Sequence, residues 1–297
     1  MKKMFMAVVI AAAVGLGAAE YKGISYYEKN APAQGNVEYR NERCKLNLTV
    51  PDMAEKGFPT VVYFHGGGLS RGKGGYCGYI NRDKAAYVAV DYRLSGPKAK
   101  CPDYIYDAAA ATAWVIKNIE KYGGDPKKVY VSGHSAGGYL TAMIALDKKY
   151  LNTFGVEPEQ IAGFYPVSGQ MTTHFRILAE RRAVNPKTPD FLVDEYAPLF
   201  HARKNAPSMI FFVGDSEFDW PARVEENALL AARLKRIYKN DNVKIIKIPF
   251  GTHSSCGPPS LAIIDRLINP KKSAKKKSAT PQKVVKDNKV SSSKAVK

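Results

Sequence analysis

Short apolar strands alternate with helices along most of this chain, and that alternation constrains its fold more than any other feature. The strand-like runs are residues 44–50, 60–64, 87–92, 129–131, 161–165, 209–213 and 243–248. The helical stretches between and after them are residues 103–122, 136–146, 221–238 and 261–268. Continuous apolar strands that are connected through helices form a mostly parallel sheet covered by helices on both faces. The sequence therefore predicts an α/β fold.

One segment interrupts the alternation, at residues 168–207. It shows little periodicity and is longer than an ordinary connection between elements. We expect it to be an insertion that forms a lid or shapes a pocket. The folded domain is predicted to cover residues 20–269, with its first strand beginning at Cys44.

The amino-terminal residues 1–19 have the layout of a secretory signal peptide. Lys2 and Lys3 precede an apolar stretch over residues 4–16, and small residues lead up to Ala19. The apolar stretch is short for a bilayer span, so a signal cut after Ala19 fits better than a membrane anchor or a buried first helix. We expect a secreted or periplasmic protein whose mature chain has no transmembrane segment.

Half of the net positive charge lies at the carboxyl terminus. The chain carries a net charge of +18, and residues 271–297 contribute ten lysines against the single acid Asp287, a net of +9. Because this stretch has no aromatic residue and little to bury, the tail at residues 270–297 is predicted to be disordered. It either binds an anionic envelope polymer or is a solvated extension. Nucleic acid is not an expected partner, since the tail lacks aromatic rings that stack on bases.

The four cysteines are Cys44, Cys77, Cys101 and Cys256. In an oxidising compartment they would allow two disulfides, with three possible pairings. Cys77 with Cys101 is the favoured pair, because both lie in glycine- or proline-containing loops that follow strands. Cys44 lies in a strand-like stretch and is interpreted as a buried thiol.

A Gly-x-Ser-x-Gly sequence stands between a strand and a helix, with Ser135 at its centre. Gly133 and Gly137 flank the serine, so the chain can turn sharply there and present the hydroxyl at the tip of the turn. The alternative is a serine that only caps the helix starting at Ala136. In combination with the motifs below, Ser135 is predicted to be a catalytic nucleophile.

The base in this arrangement follows the nucleophile along the chain, and His253 lies just after the last strand. Four other histidines compete with it. His65 and His134 lie inside glycine motifs and are expected to pack locally, whereas His174 and His201 fall in the insertion and are expected at the surface or in a pocket wall. His253 is therefore the predicted base.

Three carboxylates follow the strand at residues 209–213 and compete to orient the base. Spacing from the strand end favours Glu217, and glutamate can hold an imidazole as well as aspartate can. Asp219 could instead cap the next helix, and Asp215 could close the turn after Gly214. Glu217 is the predicted acid, with the two aspartates as open alternatives.

Backbone amides are the predicted donors to an oxyanion. One is the amide of Ala136, directly after the serine, and the others are those of Gly66 and Gly67 in the triple glycine that follows His65. This glycine run lacks the lysine of a phosphate-binding loop, so a nucleotide is not indicated. No metal or organic cofactor is expected.

Four motifs occur in order, at residues 62–68, 91–94, 133–138 and 253. Together they resemble the α/β-hydrolase esterases of the hormone-sensitive-lipase and carboxylesterase group, which includes acetyl esterases and feruloyl-esterase-like proteins. The resemblance covers residues 44–268 and implies the α/β-hydrolase fold. It also implies a structural ion pair between Asp91 and Arg93 beside the oxyanion glycines. In that family the orienting acid is more often an aspartate.

The resemblance implies a serine carboxylesterase that cleaves short-chain esters through an acyl-enzyme, including acetyl or feruloyl esters of carbohydrates, and the signal peptide predicts that it is exported. An amide hydrolase with the same machinery, of the peptidase or formamidase type, is the nearest alternative. A non-catalytic binding protein of the same fold is the alternative from a different class.

Overall fold

A computed structural model describes residues 18–28, 31, 34–51 and 55–270, and an eight-stranded sheet runs through them. The strands are β1 (Ala19–Ser25), β2 (Lys45–Val50), β3 (Phe58–Phe64), β4 (Ala86–Val90), β5 (Gly124–His134), β6 (Gly163–Val167), β7 (Met209–Val213) and β8 (Val243–Lys247). The helices are α1 (Val37–Arg43), α2 (Asp103–Asn118), α3 (Ala136–Leu146), α4 (Lys148–Asn152), α5 (Phe175–Arg182), α6 (Arg223–Ala232) and α7 (Gly257–Ile268).

The strands follow the order β1-β2-β4-β3-β5-β6-β7-β8 across the sheet. β2 runs antiparallel to β1 and β4, and all other neighbouring pairs are parallel. The carboxyl ends of the parallel strands therefore lie along one edge of the sheet, where sites form in open α/β folds. The predicted α/β fold, with a mostly parallel sheet, is confirmed.

Both faces of the sheet are buried. Successive residues of a strand point to opposite faces, and accordingly Val62 packs in one apolar cluster and Val61 in another. The first cluster includes α2, α3 and α6, and the second includes α7. This explains why the central strands are apolar without interruption.

The sheet begins earlier than the sequence indicates. β1 precedes the strand expected to be first and pairs with β2, so that Ala19 lies opposite Val50. Most residues of β1 are exposed, and its sequence mixes polar and apolar residues without alternation. An edge strand of this kind lacks the hydrophobic pattern by which strands are recognised in a sequence. The insertion at residues 168–207 contains α5 and a short 3₁₀ turn at Pro198–His201.

The favoured Cys77–Cys101 pairing is wrong. All four cysteines are free, and the sheet separates the two thiols of that pair. Cys77 packs against the cluster that contains α7, whereas Cys101 packs against the cluster that contains α2 and α3. Loops that follow neighbouring strands can cover opposite faces of the sheet. The position of a loop in the sequence does not show which face it covers.

The ion pair expected between Asp91 and Arg93 is also wrong. The fully buried Arg93 guanidinium pairs with Asp107 of α2, with Nη2 2.8 Å from Oδ1 and Nε 2.9 Å from Oδ2. Asp91 lies 3.3 Å from Arg43 and accepts the Gly74 amide. Residues two apart share a face only on a regular strand, but β4 ends at Val90, and beyond it Asp91 faces Arg43 of α1 whereas Arg93 faces Asp107 of α2.

Two predictions concern residues outside those that the structure describes. Most of the proposed signal peptide, residues 1–17, and the lysine-rich stretch at residues 271–297 lie there. Among the described residues, none of the helices is both long and apolar enough to cross a membrane.

Candidate active site

Ser135 occupies a sharp turn between β5 and α3. Its backbone has φ 57° and ψ −115°, in the left-handed half of conformational space that residues with a side chain rarely adopt. Gly137 allows this turn to pack against β3, since a Cβ there would lie 2.0 Å from the Phe64 carbonyl oxygen. The Ser135 amide donates to the Val167 carbonyl at 2.8 Å, which fixes the turn against the end of β6.

His253 follows β8 and reaches the serine. Its Nε2 lies 2.8 Å from Ser135 Oγ. The indole of Trp220 stacks on the imidazole, with ring centroids 4.2 Å apart and planes inclined by 14°. His134 Nε2 lies 2.6 Å from the His253 carbonyl oxygen and donates to it. Trp220 therefore fixes the plane of the His253 imidazole, and His134 fixes the backbone that carries it.

The carboxylate that meets the base belongs to Asp219, not to the predicted Glu217. His253 Nδ1 lies 2.9 Å from Asp219 Oδ1, and the Asp219 side chain is fully buried. Glu217 is exposed, and its amide donates to Asp215. Residues 215–219 form a helical turn, closed by the bond from the Asp219 amide to the Asp215 carbonyl. Glu217, halfway round that turn, points away from the site.

Asp219 is held as an ionised acceptor. Burial by itself raises the pKa of a carboxyl group, but hydrogen bonds outweigh it here and the pKa of Asp219 lies below its ordinary value. The donors are His253 Nδ1, the amides of Gly214 and Trp220 at 3.0 and 2.8 Å, and the Ser168 hydroxyl. The carboxylate is thus poised to hold the imidazole in one tautomer.

Sequence reasoning missed Ser168, which lies at the carboxyl end of β6. Its hydroxyl contacts both the acid and the base, and the residue is completely buried. The available signal was its position, since it directly follows a strand adjacent to the one that carries the nucleophile.

Two of the predicted oxyanion donors, Gly66 and Ala136, lie beside the serine, and Gly67 follows Gly66 in the same loop. A Cβ on Gly66 would be 3.5 Å from Ser135 Cβ, and Gly67 turns the loop with φ 112°. Ala136 is the first residue of α3, so its amide is among those that have no partner within a helix. Backbone N–H groups next to a serine hydroxyl can stabilise negative charge that develops on a carbonyl oxygen.

The remaining histidines have local partners. His65 stacks on Tyr92, and its Nδ1 lies 2.7 Å from the Gly66 carbonyl oxygen. His174 is buried rather than superficial, and it accepts the Arg176 amide at the start of α5. Burial lowers the pKa of His174, so it is neutral. His201 Nε2 lies 2.8 Å from the Glu195 carbonyl oxygen.

The insertion contributes one wall of the site through Phe175 of α5. A Cβ on Gly68 would lie 3.1 Å from the Phe175 ring. The ring therefore lies against the glycine loop at residues 66–68, which contains two of the predicted oxyanion donors and is called the oxyanion loop below. Phe175 also meets the Trp220 ring edge-on, with centroids 6.2 Å apart. The two aromatic rings therefore link the insertion, the oxyanion loop and the base.

The residues that the structure describes contain no cluster of histidine, cysteine and carboxylate side chains able to hold a metal ion. What the arrangement does contain is a serine, an imidazole and a buried carboxylate in line, with backbone donors beside the serine. That set of groups can activate a hydroxyl and stabilise an oxyanion.

The chain is similar to a known family and to known carboxylesterases. The model of the BD-FAE family matches residues 46–219, more than half of the chain, from β2 to Asp219. Carboxylesterase NlhH of Mycobacterium tuberculosis is 40% identical over 105 residues, which are 32% of this chain and 31% of that protein. Carboxylesterase 1F of Mus musculus is 32% identical over 164 residues, which are 50% of this chain and 29% of that protein. The matched region thus spans about a third of the length of these relatives.

A solved structure described as a truncated form of a carbohydrate esterase from gut microbiota has a similar fold. Its TM-score is 0.65 at 17% sequence identity, covering 86% of this chain and 97% of that one. At this identity the similarity concerns the fold, and it agrees with the predicted α/β-hydrolase architecture.

Proposed function

The chain belongs to the BD-FAE family, and from this we propose that it is a serine carboxylesterase. One observation carries the proposal, namely the hydrogen-bonded series from Ser135 Oγ to His253 Nε2 at 2.8 Å and from His253 Nδ1 to Asp219 at 2.9 Å. The similarity to carboxylesterase NlhH supports it.

In the proposed reaction, His253 accepts the Ser135 proton as the oxygen attacks the ester carbonyl. The negative charge that develops on the carbonyl oxygen is stabilised by the amides of Ala136 and of Gly66 and Gly67. Asp219 stabilises the imidazolium, which then protonates the leaving alcohol. Water, deprotonated by the same imidazole, releases the acid from the acyl-enzyme.

We propose short acyl groups as the substrate class, including acetyl or feruloyl groups on carbohydrate. Support for short chains comes from Phe175, which lies against the oxyanion loop at Gly68, and from Trp220, which covers the face of His253. Hydrolysis rates on p-nitrophenyl esters of increasing acyl length, together with acetylated and feruloylated saccharides, test this. A preference for unbranched alkyl acyl chains longer than about eight carbons over acetyl and feruloyl esters would contradict it.

Export is proposed from the sequence, since the charged start, the short apolar stretch and the small residues up to Ala19 agree with a signal peptide. Mass determination of the protein purified from the culture medium or periplasm tests this. An intact amino terminus would contradict cleavage after Ala19.

The decisive experiment for the activity is Ser135→Ala with p-nitrophenyl acetate as substrate. Loss of the nucleophile is expected to lower kcat about 10⁵-fold or more, while the variant keeps the wild-type unfolding temperature. Ser254→Ala, in the exposed part of the His253 loop, is the matched control and is expected to keep its activity. Equal rates for wild type and Ser135→Ala would refute the esterase assignment, as would an inactive wild type.

A further inference from the structure

The Ser168 hydroxyl lies between the acid and the base of the candidate site. Its Oγ is 2.9 Å from Asp219 Oδ2, 3.0 Å from Asp219 Oδ1 and 2.9 Å from His253 Nδ1. One hydroxyl therefore contacts both members of a pair that is itself joined at 2.9 Å.

The positions of the protons follow from the donors and acceptors. If the Ser135 hydroxyl donates to Nε2, as the proposed function requires, the ring proton of neutral His253 is on Nδ1. That N–H reaches Asp219 Oδ1 and Ser168 Oγ, while the hydroxyl proton of Ser168 is donated to the Asp219 carboxylate. Ser168 thus accepts from the base and donates to the acid at the same time.

The backbone at Ser168 carries a conformational cost. Its φ is 45°, a region in which glycine is favoured, and its amide donates to the Phe212 carbonyl at 2.7 Å. Glycine would satisfy the backbone here without that cost, whereas only a residue with a polar side chain can make the contacts to Asp219 and His253. The conformation is therefore consistent with a requirement for the hydroxyl.

We propose that Ser168 is a positioning residue that couples Asp219 to His253, an inference that rests on the proposed function. When His253 becomes an imidazolium, its Nδ1–H is a stronger donor and is shared by two acceptors. The hydroxyl also keeps the carboxylate oriented through the proton transfer. The contribution is made through His253 and Asp219, without contact to the substrate.

Two variants separate the hydroxyl from the backbone. Ser168→Ala removes the hydroxyl and keeps the backbone cost, whereas Ser168→Gly removes both. Ser132→Ala is the matched control, because Ser132 is equally buried in β5 and its hydroxyl donates to the Tyr165 carbonyl at 2.8 Å. All are assayed with p-nitrophenyl acetate, and the fraction of active enzyme is titrated with an organophosphate.

Both Ser168 variants are expected to lose about 10- to 100-fold in kcat per active site with KM unchanged, while Ser132→Ala retains the wild-type kcat. Ser168→Gly is also expected to be more stable than Ser168→Ala. A wild-type kcat in Ser168→Gly would overturn the proposal, because the backbone alone would then account for this residue. An equal loss in Ser132→Ala would overturn it too.

A second measurement does not depend on turnover. The Nδ1 proton of His253 is observed by NMR at low field and assigned by its loss in His253→Gln. We expect its chemical shift to move in both Ser168 variants and to stay in place in Ser132→Ala. An unchanged chemical shift in the Ser168 variants would refute the role of Ser168. A wild-type protein that hydrolyses no ester would refute the proposed function, and the NMR result would still test Ser168 in that case.

Discussion

At the scale of single residues, the direction of a side chain within one turn decides which carboxylate serves the site. The turn at residues 215–219 brings Asp219 inward to the imidazole and leaves Glu217 in solvent. The spacing that favoured Glu217 measured distance along the chain from the strand end. Asp219 is also buried, and its carboxylate accepts hydrogen bonds from the amides of Gly214 and Trp220. These contacts hold it in the site.

Substituting each carboxylate singly tests this assignment. Asp219→Asn is expected to lower kcat about 10³- to 10⁴-fold, because the amide no longer stabilises the imidazolium or holds the required tautomer. Glu217→Gln, the matched control in the same turn, is expected to leave kcat unchanged. Steady-state kinetics on a short-chain ester measures both. A large loss in Glu217→Gln would contradict the arrangement.

The lowered pKa of Asp219 also makes a prediction about stability. Because the pKa is lower in the folded than in the unfolded state, ionised Asp219 stabilises the fold above the ordinary aspartate pKa, and this contribution is lost as the pH falls through the folded pKa. The gap in unfolding temperature between wild type and Asp219→Asn is therefore expected to be constant at neutral pH and to narrow below about pH 4. Calorimetry from pH 7 to pH 3 measures it, and a gap that widens on acidification would contradict the shift.

At the scale of elements, α2 is tied to the loop after β4 by a fully buried ion pair. Arg93 in that loop contacts Asp107, about one turn into the helix, and it also donates to the Gln34 carbonyl at 2.8 Å. The pair holds the segment that runs beside the oxyanion glycines, where Tyr92 donates to the His65 carbonyl. The motif at residues 91–94 therefore acts through a helix that sequence alone did not connect to it.

Removing one partner of this pair is expected to be costly. Asp107→Asn removes the closer of the two counter-charges of the buried Arg93, leaving Asp103 at 3.5 Å, and is expected to lower the free energy of unfolding by about 3 kcal/mol. Asp91→Asn, whose partner Arg43 is partly exposed, is the control, with an expected cost of about 1 kcal/mol or less. Urea unfolding measures both. A larger effect at Asp91 would favour the pairing that the motif first indicated.

At the scale of the whole molecule, half of the net positive charge lies in a short stretch that follows the folded domain. Residues 271–297 carry a net charge of +9, and the last described helix, α7, ends at Ile268. Charge concentrated in this way attracts any polyanion and specifies none. We propose that the tail retains the protein on an anionic envelope polymer.

Deletion of residues 271–297 is expected to leave kcat and the unfolding temperature unchanged, since Ser135, Asp219 and His253 contact one another within the described domain. Retention on an anionic polysaccharide column at low salt should fall. A chain of the same length with its ten tail lysines changed to glutamine separates charge from length, and should behave like the deletion. Undiminished retention of either variant would refute the anchoring role.

The sequence by itself determined the class of fold, and it singled out Ser135 and His253, which the structure brings within 2.8 Å of each other. These features are local: an uninterrupted apolar strand, a glycine that allows a sharp turn, and a polar residue at the carboxyl end of a strand are each visible in a few residues. β1 escaped notice because an exposed edge strand lacks that apolar pattern.

Only the tertiary structure decided which groups meet across the sheet. It selected Asp219 over Glu217, added Ser168, paired Arg93 with Asp107 and placed Cys77 and Cys101 on opposite faces. Each of these depends on the direction of a side chain after a turn and on the packing of distant elements. Spacing along a chain does not specify direction in space, and burial then chooses among polar groups according to the hydrogen bonds that each can complete.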